Sequence, residues 1–168
     1  MNRIELLFDE IEKILDRMTN KDSRRAMNNH LYGVAQAAAL IALRRGENTE
    51  LATMAGILHD IAYCRSCDIE PYRIFDVTGA NHAEKGSIAA LEILTELNIT
   101  TLEETRIICD AIKRHSDKNT VDKPFDEVLK DADVFSHGLH NVTSCNFRGE
   151  RWDRLCEEFG IDNPRINN

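Results

Sequence analysis

Apolar positions recur at helical spacing along nearly the whole chain. Ile4, Leu7, Phe8, Ile11, Ile14, Leu15 and Met18 form one stripe, and residues three and four apart share a face of an α-helix. They predict an amphipathic helix within residues 1–20, followed by a polar turn at 19–23. A second helix is predicted from about 24 to 45 and stops at Gly46, with Arg44 and Arg45 suiting its negative C-terminal end. Thr49 is the expected N-cap of a third helix, which carries Leu51, Met54, Ala55 and Leu58 and, at its far end, His59-Asp60. Residues 64–80 are less regular and contain Pro71 and Gly79. This is the longest predicted loop, of a length often used as a substrate lid. A fourth helix spans about 81–97. Thr100 with Glu103, or Thr101 with Glu104, offers a capping box for a fifth that ends near His115. Pro124 suits the first turn of a sixth, which carries Asp131 and Asp133, and a last helix covers about 148–159 and ends at Gly160. No segment has a strand period, and there is no internal repeat or low-complexity tract. The expected fold is all-α, a compact helical bundle of about six to seven helices in one domain over 1–168, with a C-terminal helix and tail in 146–168.

Composition narrows the classes of function. A length of 168 residues with 42% apolar content fits one core. The net charge of −8 excludes bulk nucleic-acid binding, which needs a basic footprint. It leaves room for a small phosphorylated substrate, because bound cations reverse the local field. Met1 is followed by acids from Glu5 onward rather than by an apolar segment, so no secretory signal is read. The longest apolar run, 34–43, is interrupted by Gln36 and falls short of the ~20 residues that span a bilayer. A soluble, cytoplasmic protein without membrane association is expected. Five cysteines, an odd number, point to reduced thiols rather than a disulfide framework. Cys64 and Cys67 have the spacing of a redox or zinc pair, but no second pair matches it.

Candidate chemistry lies in an ordered series of His30, His59 with Asp60, His82, His115 and then Asp131-Ala132-Asp133. Imidazole nitrogen with carboxylate oxygen is the ligand mix that suits divalent first-row metals. Each histidine sits among apolar neighbours, and a single one would read as a satisfied core residue. Several converging in a core are costly unless paired or metallated. His59 and Asp60 diverge by about 100° on a helix, yet both reach one centre if it lies at the helix end. Two ions about 3.5–4 Å apart can clamp a phosphoryl group. Asp131 and Asp133 are about 200° apart and cannot both face one site. Asp133 continues the stripe Phe125, Leu129, Ala132, whereas Asp131 shares another with Val128 and Phe135. Periodicity leaves both open.

This series resembles the HD superfamily of metal-dependent phosphohydrolases. The run Ala55-Gly56-Ile57-Leu58-His59-Asp60-Ile61-Ala62 is similar to its defining segment. Asn81-His82-Ala83-Glu84-Lys85-Gly86 and Ile112-Lys113-Arg114-His115 resemble its later histidine segments, and Asp131-Ala132-Asp133 its closing acid. The likeness runs from His30 to His140, within a motif core of about 24–140. It implies an HD-type bundle in which His30, His59, Asp60 and Asp133 hold a first divalent transition metal, the family placing its last ligand directly after the small residue. Asp60 would bridge to a second ion held by His82 and His115. One or two ions are implied, of Fe, Mn, Co or Ni, with Mg or Zn also admitted. The implied activity is cleavage of a phosphate ester or anhydride of a nucleotide or similar small molecule by a metal-bound hydroxide.

Asp60 would then be catalytic, with Lys85 and Glu84 beside it. Lys85 lies three residues beyond His82 and is a candidate phosphate contact, as are Lys113, Arg114 and Lys118 around His115. Glu84 is a candidate acid for orienting an imidazole. His137, four residues after Asp133, either orients that carboxylate or sits at a favourable helix end. The interval from His115 to Asp133 is similar to that of bacterial enzymes that split diadenosine tetraphosphate symmetrically. The expected partners are a small phosphorylated substrate, foremost a nucleotide, and, as one option, a second copy of the chain in a homodimer. The same resemblance admits a di-iron oxygenase, and a ligand-sensing module that keeps the metal but not catalysis.

Overall fold

Side chains that take up the first free backbone N–H groups set where the helices begin. In the computed structural model, which describes residues 2–65, 82–140 and 149–163, Asn2 caps α1 (Arg3–Asp16) by accepting from the N–H groups of Ile4 and Glu5. Asn20 does the same for Asp22 and Ser23, so α2 (Lys21–Arg45) starts inside the stretch that patterning reads as a polar turn. Asn48, not Thr49, caps α3 (Thr49–Leu58), accepting from Glu50 and Leu51 at 3.1 Å each. Of the two capping boxes offered before α6 (Leu102–Arg114), Thr101 with Glu104 is the one that forms. Gly46 and Gly160 close α2 and α8 (Glu150–Phe159) at φ of 74° and 64°, the left-handed region that glycine enters without a Cβ clash.

The described residues contain eight helices, more than the six or seven that the apolar pattern suggests. The extra one is α4 (Ile61–Arg65), a short helix that the pattern does not predict, while α3 ends beside His59-Asp60 as the sequence suggests. There His59 Nδ1 donates to the Gly56 carbonyl at 2.7 Å, the acceptor that the Asp60 N–H would use in a continuing helix. α5 (His82–Leu97) and α7 (Pro124–His140) complete the set. Of the predicted loop 64–80, Cys64 and Arg65 belong to α4; the remainder, Cys67 with it, lies outside the described residues.

α2 runs through the middle and packs on α3 and α7, while α5 pairs with α6. Leu31, Val34 and Ile41 of α2 meet Met54, Ile57 and Leu58 of α3, Ile93 of α5 and Ile108 of α6 in one buried cluster. Each such side chain contributes about 1.5–3 kcal/mol when fully buried. α2 and α3 approach so closely that a Cβ at Gly56 would lie 2.7 Å from Ala35 Cα. Among the described residues no helix is long and apolar enough to cross a membrane.

A polar lock joins the C-terminal helix to this core. Asp131 is fully buried and accepts from Arg45 at 2.8 Å, Arg151 at 2.9 Å and Arg154 at 2.6 Å. Arg45 also binds Glu158 at 2.6 Å and Arg151 binds Glu127 at 2.7 Å, so α2, α7 and α8 share one charge network. Lys130, also fully buried, donates to the Thr120 carbonyl at 2.7 Å and to Asp122 at 2.6 Å. Arg151 donates to the Lys118 carbonyl at 2.8 Å. Two cations thus pin the segment between α6 and α7 that carries Lys118.

Candidate metal centre

Five helices deliver their ends or faces to one place. His30 comes from α2, the His59-Asp60 pair follows α3, His82 opens α5, His115 follows α6 and Asp133 lies on α7. His30 Nε2 and His59 Nε2 stand 3.0 Å apart. Asp60 Oδ2 is 3.4 Å from each of them, and Asp133 Oδ1 is 3.9 Å from each. On the other side of the same carboxylate, Asp60 Oδ1 is 3.6 Å from His115 Nε2. The His82 and His115 rings meet edge to face at 5.2 Å, and Tyr63 stacks on His82 at 5.9 Å. Three sets of donors each lie within 4.8 Å of one another: His30, His59 and Asp60; Asp60, His82 and His115; and His30, Asp133 and His137. The structure brings together all six residues singled out as ligand candidates and adds His137.

The two deeply buried imidazoles are oriented by one local device. His115 Nδ1 donates to the Ile112 carbonyl at 2.7 Å, as His59 Nδ1 does to Gly56. A carbonyl only accepts, so Nδ1 carries a proton in both rings and Nε2 is the nitrogen that faces inward, as a lone pair whenever the ring is neutral. His30 Nε2 and His59 Nε2 face each other at 3.0 Å, and a proton or a metal ion between them would relieve the repulsion of two lone pairs.

Charge agrees with that arrangement. Burial opposes ionisation of Asp60, but the charge of His59 and bonds to His30 and His59 hold its carboxyl well below the usual range. Asp133 is held equally low, against burial, by Lys118, His137, His59 and His30. Burial lowers His30, and burial with the neighbouring His59 lowers His115 to about 4. His59 goes the other way: burial opposes its protonation, yet Asp60 and Asp133 outweigh it. The centre therefore sets two ionised carboxylates against His30 and His115, both pushed toward the neutral form, and His59, pushed toward the protonated one.

One atom tests whether these donors fit a metal. Asp60 Oδ1 is buried and has no hydrogen-bond partner among the described residues. An orphaned buried carboxylate oxygen costs about 1–3 kcal/mol or more, and a cation shared with His82 and His115 would satisfy it. The mix of nitrogen and oxygen donors fits a divalent transition ion.

Geometry also separates the two acids Asp131 and Asp133. Asp133 Oδ2 accepts from Lys118 at 2.8 Å while Oδ1 faces the imidazoles; Asp131 points the opposite way, into the three arginines. Lys118, which also donates to the His115 carbonyl at 2.7 Å, thus touches the centre. The other bases are placed differently. Lys85 is exposed on α5, and Lys113 pairs with Glu84 at 3.2 Å on the surface. Arg114 is taken by Asp126 at 3.2 Å and Asp110 at 3.7 Å. Cys64 is buried, and burial with the charge of Asp60 pushes its thiol up to about 12, away from reactive thiolate.

Close packing positions His82. A Cβ on Gly86 would collide with the His59 carbonyl oxygen and press on Ile112. Gly86→Ala is therefore expected to push α5 outward, lowering stability by about 1–3 kcal/mol and weakening the Asp60, His82, His115 group. Thermal denaturation with elemental analysis checks it; unchanged stability and metal content would refute it.

The family model described as HD domain matches residues 28–138. No curated protein and no solved structure matches the chain. The matched span is more than half of the sequence and contains His30, His59, Asp60, His82, His115 and Asp133, and the chain belongs to the HD domain family.

Proposed function

We propose that the protein is a metal-dependent phosphohydrolase that cleaves a phosphate ester or anhydride of a nucleotide or similar small molecule. Membership of the HD domain family, whose superfamily is mostly metal-dependent hydrolases, supports the reaction class. The observation that carries the reading is Asp60, whose Oδ2 faces His30 and His59 while its Oδ1 faces His115. In this reading His30, His59, Asp60 and Asp133 hold one divalent cation, and Asp60, His82 and His115 hold a second. Such a pair supplies hydroxide at neutral pH and neutralises phosphoryl oxygens.

The protein's own groups do the rest. The carbonyl bonds of His59 and His115 fix which ring nitrogen faces inward. Lys118, which touches the centre through Asp133, and Lys85, exposed one turn beyond His82, are the bases we assign to a substrate phosphate. Glu84 and Lys113 hold each other at the surface, and Arg114 is held by acids; none of these three enters the proposed mechanism.

The test is a panel of nucleotides and phosphate monoesters with protein loaded with Mn²⁺ or Co²⁺. Release of phosphate or a nucleoside phosphate, lost with chelator and restored by metal, is expected. His82→Ala is expected to carry one ion instead of two and to turn over at least about 10²-fold more slowly. Metal-replete protein that cleaves none of the panel would sink the proposal. Substrate-dependent oxygen uptake after iron loading would assign oxygenase chemistry in its place.

A further inference from the structure

We infer that His137 is a further protein ligand of the cation held by His30, His59, Asp60 and Asp133, so that this position has five protein donors. The inference rests on the metal-centre reading above and adds a residue to it. His137 lies one helical turn beyond Asp133, on the same face of α7. Its Nε2 is 3.3 Å from Asp133 Oδ1, the same oxygen that lies 3.9 Å from both His30 Nε2 and His59 Nε2. Three imidazole nitrogens thus converge on one carboxylate oxygen. The His30 and His137 rings lie side by side, centroids 4.8 Å apart and planes inclined by 37°.

The known distances agree with ligands that share one ion. Donors around one ion with bonds of about 2.1 Å are about 3.0 Å apart when adjacent and about 4.2 Å when opposite. His30, His59 and Asp60 lie 3.0 to 3.4 Å from one another, Asp133 lies 3.9 Å from both imidazoles, and His137 lies 3.3 Å from Asp133 and within 4.8 Å of His30. The 3.3 Å contact with Asp133 serves as a hydrogen bond when the imidazole carries the proton there, and the same Nε2 can ligate when it is unprotonated. Asp133 is already oriented by Lys118 at its other oxygen, so His137 is not needed to hold it. The rotation of this part of α7 is fixed from behind, where Trp152 packs so closely on Gly138 that a Cβ there would overlap its ring.

An imidazole nitrogen has a single lone pair, so His30 Nε2 serves one ion, and His137 joins that ion rather than founding another. The two cation positions are then unequal. The first has five protein donors and binds tightly. The second, with Asp60, His82 and His115, has three and stays open to exchange and to substrate oxygens.

The experiment titrates metal-free protein with Co²⁺ by calorimetry and counts imidazoles at one equivalent by X-ray absorption. Wild type is expected to show one tight and one weak step, with three imidazoles on the tight ion. His137→Ala and His137→Gln are both expected to weaken the tight step by at least about 10-fold and to remove one imidazole, leaving the weak step in place. Glutamine can still donate a hydrogen bond to Asp133 but is a poor ligand for Co²⁺. Wild-type affinity or imidazole count in His137→Gln would overturn the inference while leaving the metal centre standing. Wild type that takes up no divalent cation would bring down both. Circular dichroism melts of the metal-free variants exclude misfolding as the cause.

Discussion

Replacing Asp60 with alanine is expected to abolish phosphoester turnover, with kcat down by at least about 10³-fold and both cation positions weakened. No other described side chain is placed to serve both groups, with one oxygen 3.4 Å from His30 and His59 and the other 3.6 Å from His115. Removing it takes away the negative charge that, in the proposed mechanism, would draw two cations to adjacent positions. Metal ions contribute several kcal/mol of charge stabilisation to such reactions, and each 1.36 kcal/mol is a factor of ten in rate. Asp60→Asn sharpens the result, because an amide offers one accepting oxygen and no charge. It is expected to retain at most one weakly held ion. Initial rates with elemental analysis decide the matter. An alanine variant that kept two ions per chain and wild-type turnover would remove Asp60 from the proposed mechanism.

The second large effect falls on stability. Asp131→Ala is expected to lower Tm by roughly 6–12 °C, at about 2–4 °C per kcal/mol for a domain of this size, with metal content unchanged. Breaking a buried ion pair by deleting one partner costs about 3–5 kcal/mol. The lower end applies here, because Arg154 is half exposed and rehydrates, while Arg45 and Arg151 keep Glu158 and Glu127. Asp133→Ala is expected to do the reverse, losing metal through a site residue outside the arginine network. Differential scanning calorimetry beside elemental analysis separates the two acids. Metal loss in Asp131→Ala at an unchanged Tm would reverse their assignment.

That pair of acids also shows what the sequence could and could not reveal. Apolar spacing locates the helices because each buries one stripe, and every residue of the α1 stripe is buried or packs against the core. Helix starts are less legible. Runs such as Gly46-Glu47-Asn48-Thr49 contain two good caps, and only the backbone path decides that Asn48 reaches two free N–H groups. The end of the third helix at His59-Asp60 is legible, whereas the short α4 that follows it is not. Asp131 and Asp133 are separated by partners distant in sequence, Arg45 on one side and His30 on the other. Lys130 is the clearest omission. A lysine between Leu129 and Asp131 reads as surface, yet its ammonium is buried on Thr120 and Asp122 and holds in place the segment that carries Lys118.

The twin helix ends at His59 and His115 have a kinetic consequence. Their imidazoles are aligned as the chain folds, before any ion arrives, which makes the centre a preformed chelate. Ligation then requires little rearrangement of the polypeptide at these two donors, and the entropy that flexible donors would lose on binding is already gone. Uptake of an ion should be paced by shedding of its hydration water, so that slow-exchanging Ni²⁺ loads more slowly than Mn²⁺ although it binds more tightly.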